Sequence, residues 1–208
     1  MAVAKIFLAC IFTLMTFASF AKPCNRTDGD SSDYIDSSEI CDDDFHGKKI
    51  PQFKEYSVAE NPNLKPIFPS KIPGIDQEQN AKWLDAIHTT YKEHGVNFAG
   101  HFLFVIRGGC GAECHRAMII DLETGKIFEP AEIELIMASV NDLPASLCSK
   151  LDISCNDDTY SFRKDSNLVV VVGAIGESAS KRGVYHWKWE NGKFKSILRV
   201  ERKPFTRK

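Results

Sequence analysis

The chain has no Gly-x-Ser-x-Gly elbow, no glycine pattern of a phosphate-binding loop and no internal repeat. Beyond its first 20 residues it also has no apolar run long enough to cross a bilayer. The first absence removes the usual setting of an α/β-hydrolase serine. The second removes the usual nucleotide cradle, for which Gly173-Ala174-Ile175-Gly176 is too short a substitute. The lack of a repeat excludes solenoids and propellers. Basic residues are missing from one whole segment. Residues 28–44 hold eight acids (Asp28, Asp30, Asp33, Asp36, Glu39, Asp42, Asp43 and Asp44) and no Lys or Arg.

What is present at the N-terminus points to export. Lys5 is the only charge before a largely apolar run over 6–20, and Ser19-Phe20-Ala21 places small residues where a signal peptidase reads. This predicts a signal peptide, residues 1–21, cleaved after Ala21. The rival reading, an uncleaved anchor, is disfavoured because a spanning helix needs about 20 apolar residues. A lipoprotein signal fits worse, since Cys10 lies inside the run and Cys24 follows Lys22-Pro23. The remaining 187 residues are enough for one domain with a substantial core.

Cleavage also removes Cys10 and leaves Cys24, Cys41, Cys110, Cys114, Cys148 and Cys155. An even number in an exported chain reads as a disulfide set, for which about 15 pairings exist. Sequence neighbours suggest Cys24 with Cys41, Cys110 with Cys114 and Cys148 with Cys155, and nothing in the sequence proves that choice. Charge is segregated too: residues 181–208 carry ten basic residues against Glu190 and Glu201. Such asymmetry marks a binding surface, two segments that meet, or two solvated faces. Export argues against nucleic acid as the partner of the basic face.

Three parts follow: the signal peptide, an acidic and then Pro-rich extended segment over 22–74, and a single α+β domain over 75–208. A short strand is expected at 53–58. A helix capped by Asp76 places Trp83, Leu84, Ile87, Tyr91 and His94 on one stripe and ends at Gly95. Strands are expected over 101–107, 116–122, 126–129, 159–163, 168–173, 184–189 and 194–201. Residues 131–147 read as ambiguous, with a short helix ended near Pro144. The 168–172 run is apolar on both faces and should be a central strand. The last hairpin turns at Asn191-Gly192. There Tyr185, Trp187 and Trp189 alternate with His186 and Lys188, which are expected to face water. The fold class is therefore α+β: a mostly antiparallel sheet of about six or seven strands, with one main packed helix, stabilised by disulfides.

Within 97–107, alternation puts Asn97, Ala99, His101, Leu103, Val105 and Arg107 on one face. Phe98, Phe102, Phe104 and Ile106 lie on the other, expected to be core. His101 should be partly buried near a sheet end. The glycines around Cys110 and Cys114 fit a hairpin tip closed by a small disulfide. A redox pair would want Cys-x-x-Cys at a helix start. A metal set of His101, Cys110, Cys114 and His115 matches no common zinc spacing, and oxidation would consume both thiolates. A nucleophile–base pair of Cys110 or Cys114 with His101 or His115, oriented by Asn97, likewise needs a free thiolate.

The segment VNFAGHFLFVIRGGCGAEC, followed by MIIDLETGKIFEP and later GVYHWKWENGKFKSI, resembles a group of small exported bacterial proteins of uncharacterised function. Their pattern falls on Asn97, Phe98, Ala99, Gly100, His101, Gly109, Cys110, Gly111, Cys114, Asp121, Thr124, Gly125 and Lys126. Where the group has an aromatic residue before Gly-Cys-Gly, this chain has Arg107-Gly108, and its acidic 28–44 segment is its own. The resemblance implies a Gram-negative exported protein and brings no activity with it.

The expectation for function is a periplasmic or secreted binding or inhibitory protein, such as an immunity protein against an envelope-targeting toxin or lytic enzyme. Asn97, His101, Arg107 and Glu113 are the candidate contact residues. The alternative is an envelope hydrolase in which His101 acts as general base beside Asp121 or Glu113. No cofactor, resident metal or stable membrane insertion is expected.

Overall fold

The computed structural model describes residues 40–108, 114–138, 143–154, 159–176, 178 and 181–201. In chain order its strands are β1 (Phe102–Gly108), β2 (Cys114–Asp121), β3 (Lys126–Phe128), β4 (Ile136–Ala138), β5 (Tyr160–Arg163), β6 (Ser166–Ile175), β7 (Arg182–Glu190) and β8 (Lys193–Glu201). The α-helices are α1 (Gln77–His94), α2 (Ala131–Glu134) and α3 (Ala145–Leu151). All eight strands join one antiparallel sheet, ordered β1-β2-β4-β6-β7-β8, with β3 beside β2 and β5 beside β6. This is the α+β class, with eight strands where the sequence suggested six or seven.

The sheet has two arms, whose ladders among the described residues are joined through β4. That strand pairs Cys114 with Met137 on one side and Gly173 with Ala138 on the other. The backbones come so close here that a Cβ on Gly173 would lie 2.4 Å from the Met137 carbonyl oxygen. Although β1 and β5 share no ladder, Phe104 stacks on Phe162 at 4.4 Å. Trp189 of β7 meets Phe102 of β1 and Phe128 of β3 edge-on. The arms therefore face one another across an aromatic core.

Two further cores lie on the outer faces. Helix α1 lays Trp83 and Ile87 over Leu103, Val105, Met118 and Ile120. Asp76 caps it, accepting the Gln79 N–H at 2.8 Å, and Gly95 (φ 63°) ends it by donating to the Tyr91 carbonyl. On the second arm, residues 40–56 and α3 cover β6 to β8 by burying Ile40, Phe45, Phe53, Leu147 and Leu151 against Leu168, Val170, Val172, Leu198 and Val200. β6 is thus covered on both faces, as its apolar run predicts.

Several expectations are corrected. The strand expected at 53–58 is a 3₁₀ turn, Phe53–Tyr56, because a single turn drives Phe53 into the core; only Ser57 bridges to the sheet, at Ser166. Pro144 begins a helix rather than ending one, since its fixed φ (−67°) suits the start of α3. His94 leaves the apolar stripe and is 60% exposed beside Glu93. His186, expected in water, is fully buried, because its face of β7 lies under the N-terminal segment and α3. The alternation over 97–107 fails before 102. Positive φ at Ala99 (42°) and Gly100 (83°) makes a tight turn, and both faces of β1 then pack, with Ile106 left 38% exposed. Among the described residues no helix is long and apolar enough to cross a membrane.

Candidate functional site

Gly100 sets up a corner where an imidazole and two carboxylates converge, the one such group among the described residues. Its φ of +83° is left-handed, and a Cβ there would meet the Ala59 carbonyl oxygen at 2.4 Å, so only glycine fits. The turn is pinned on three sides: Gly100 N–H to Lys164 O (2.7 Å), Ala99 N–H to Arg163 O (3.3 Å) and Asn61 N–H to Gly100 O (3.3 Å). His101 follows directly. Its carbonyl accepts from Leu122 N–H at 3.2 Å, and its ring lies 4.1 Å from that of Phe102.

Asp121 stands opposite Phe102 in the β1–β2 ladder and opens the turn to β3. Its Oδ1 accepts Glu123 N–H (2.9 Å), its Oδ2 accepts the Thr124 hydroxyl (2.8 Å), and its carbonyl accepts Gly125 N–H (2.7 Å). These bonds explain the Asp-x-x-Thr-Gly spacing: a carboxylate and a hydroxyl lock the turn, and glycine permits φ 74° at its end. Glu123 is held by Asn61, whose Nδ2 donates to Oε1 at 2.9 Å. His101 Nε2 lies 3.8 Å from Asp121 Oδ1 and 4.0 Å from Glu123 Oε2. Both separations exceed hydrogen-bond range. The three side chains are graded in exposure, at 30%, 16% and 45%.

The other expected site residues go elsewhere. Asn97 is half-buried and bonded to backbone: its Nδ2 donates to Phe104 O (2.9 Å) and its Oδ1 accepts Phe104 N–H (2.7 Å), so the side chain substitutes for a ladder partner. Arg107 joins β1 to α1, donating from Nη1 to Gln79 Oε1 (3.0 Å) with its guanidinium 5.4 Å from the Trp83 ring centre. Glu113, Cys24, Cys110 and Cys155 lie outside the described residues. The set of His101, Cys110, Cys114 and His115 is not assembled. His101 precedes the Phe102 end of the hairpin, while His115 pairs with Gly108 at the opposite end and bonds Thr159 Oγ1 at 2.8 Å. Sequence reasoning named His101 and Asp121 as a pair and the structure brings them together. It missed Glu123, for which the Asp121–Lys126 turn was the available signal.

A second surface feature is electrostatic. β8 is the outer strand of its arm, and Lys193, Lys195, Ser196, Ile197 and Arg199 on it are exposed. Arg199 pairs with Glu201 and Lys188 pairs with Glu190 at 2.8 Å. Lys193 and Lys195 have no ion pair among the described residues. The acidic turn Asp42–Phe45 packs near β8, but two of its three carboxylates are used elsewhere. Asp42 pairs with Lys150 at 2.5 Å, and Asp44 caps Cys41 N–H at 2.9 Å.

In comparison with known proteins, the chain matches no family model, no curated protein and no solved structure.

Proposed function

We propose that the chain is an exported binding protein that neutralises an envelope-directed protein, a toxin or a lytic enzyme, through the basic outer face of β8. The observation that carries this reading is an edge strand with Lys193 and Lys195 exposed and without an ion pair among the described residues, followed by the exposed Ile197. Unpaired positive charge beside an apolar side chain suits an acidic partner, which it attracts at long range and then covers. Lysines on an edge strand also discourage self-pairing, leaving the strand available to a different chain. The leader-like residues 1–21 and the resemblance to exported bacterial proteins support the compartment.

The test is capture from envelope extract by the tagged mature protein. Wild type is expected to retain a specific acidic protein that the Lys193→Glu/Lys195→Glu variant loses. Equal capture by the two, or capture by neither, contradicts the reading.

The same proposal includes three local disulfides: Cys24 with Cys41, Cys110 with Cys114 and Cys148 with Cys155. In support, Cys41, Cys114 and Cys148 are each at most 4% exposed. Peptide mapping of the mature protein is expected to return these three links, and a Cys110 link to Cys148 or Cys155 would contradict local pairing.

A second reading, a hydrolase with His101 as general base, draws on the 3.8 Å approach of His101 to Asp121. It is weaker. At 3.8 Å the imidazole makes no hydrogen bond to Asp121, and the Thr124 hydroxyl is committed to that carboxylate.

A further inference from the structure

We propose that His101, Asp121 and Glu123 form a binding site for one divalent cation of the zinc class, independent of the β8 surface. The three ligand atoms lie within 4.8 Å of one another, with one nitrogen and two carboxylate oxygens converging. They converge without bonding. The imidazole Nε2 stands 3.8 and 4.0 Å from its neighbours, too far for hydrogen bonds and slightly wider than the roughly 3.3 Å between ligands around tetrahedral zinc. Small side-chain rotations would close that difference.

Charge is compatible with the site. Asp121 and Glu123 pair with no Lys or Arg among the described residues, and the same holds for Asp85, Glu129, Glu132 and Glu134, so what sets this pair apart is the imidazole facing it. The nearby Lys126 instead places its ammonium 4.7 Å from the centre of the Phe128 ring. Two adjacent carboxylates without a basic partner, one of them only 16% exposed, are a place where a cation relieves repulsion.

The surrounding bonds leave Glu123 Oε2 without a hydrogen bond and Asp121 Oδ1 with a lone pair to spare. Asn61 holds Glu123 by Oε1, which leaves Oε2 toward His101. Thr124 holds Asp121 by Oδ2, which leaves Oδ1 facing the imidazole with only the Glu123 N–H on it. Donors behind the ligands fix their orientation in the way metal-site partners do. An imidazole in the set favours zinc over magnesium or calcium, which prefer oxygen alone. Three protein ligands leave at least one coordination position for water or a bound group.

The experiment is calorimetric titration of Zn²⁺ alone into the chelator-stripped mature protein near neutral pH, with thermal melts in parallel. Wild type is expected to take up one equivalent and to melt higher with zinc. His101→Gln and Glu123→Gln should each bind at least about 10-fold more weakly and lose that rise, and Asn61→Ala should weaken binding to a smaller degree. His94→Gln should change nothing. Glu123 is largely exposed, so its variant folds and separates ligand loss from unfolding. Wild type that takes up no zinc, binds Mg²⁺ equally well, or has an affinity that survives both His101→Gln and Glu123→Gln would overturn the site.

Discussion

Val170→Asp is expected to unfold the protein, while Lys195→Asp leaves its melting temperature nearly unchanged. Val170 is 1% exposed in β6, paired with His186 of β7 on one side and Ser161 of β5 on the other. Its side chain sits among Ile40, Phe45, Phe53 and Leu147. A carboxylate there has neither water nor a cation to stabilise it, and the cost is several kcal/mol. With marginal domain stability of about 5–15 kcal/mol, that is enough to depopulate the native state. Lys195 is exposed at the rim, where the change costs about half a kcal/mol. Comparable thermal melts for the two variants would mean that β6 is not the covered centre of the sheet.

Acid should weaken the protein through His186, and His186→Leu should remove that sensitivity. The imidazole is fully buried, and among the described residues neither ring nitrogen has a hydrogen-bond partner. Burial without a counter-charge lowers its pKa from the ordinary value near 6.5 to about 4. The unfolded chain therefore binds a proton between those two values while the native state does not. Above about pH 6.5 both states are neutral and the group contributes nothing. As pH falls from 6.5 to 4, native stability is lost, by about 3 kcal/mol in all. Carboxylates titrate in the same window, so the quantity to measure is the difference between wild type and His186→Leu in chemical denaturation at pH 7 and pH 4. The gap should widen in acid by about 3 kcal/mol. A constant gap would show that His186 reaches water or a partner.

The residues whose roles are local were legible in the sequence. Asp76 and Gly95 bound α1, Asn191 and Gly192 take the positive φ of the last hairpin, and the valines of β6 declare a strand covered twice. What required distant chain was not legible. β4 is three residues long and exists because β2 and β6 each offer it an edge. His186 alternates as an outward residue should, and it is buried on a face whose neighbours Val170 and Val184 pack with Phe45, Phe53 and Leu147, far away in sequence. The same division holds at the candidate site. His101 and Asp121 stood out as chemically capable residues in a patterned segment. The contribution of Glu123 depends on Asn61, which reaches it from the Pro-rich segment across 62 positions of sequence. That segment looked like a spacer because its prolines deny it regular structure. Its backbone and side chains nonetheless hold the Gly100 turn and the Glu123 carboxylate in place.

The binding account rests on Lys193 and Lys195 and the cation account on His101, Asp121 and Glu123. The two share no residue, so separate variants test them. For binding, the most direct measurement is the association rate of the captured partner with wild type and with Lys193→Glu/Lys195→Glu, taken across a range of salt. The account predicts a wild-type rate that falls about 10-fold or more from low to physiological ionic strength, and a variant that is slow at every salt concentration. A rate independent of salt, or one shared by the two proteins, would contradict it.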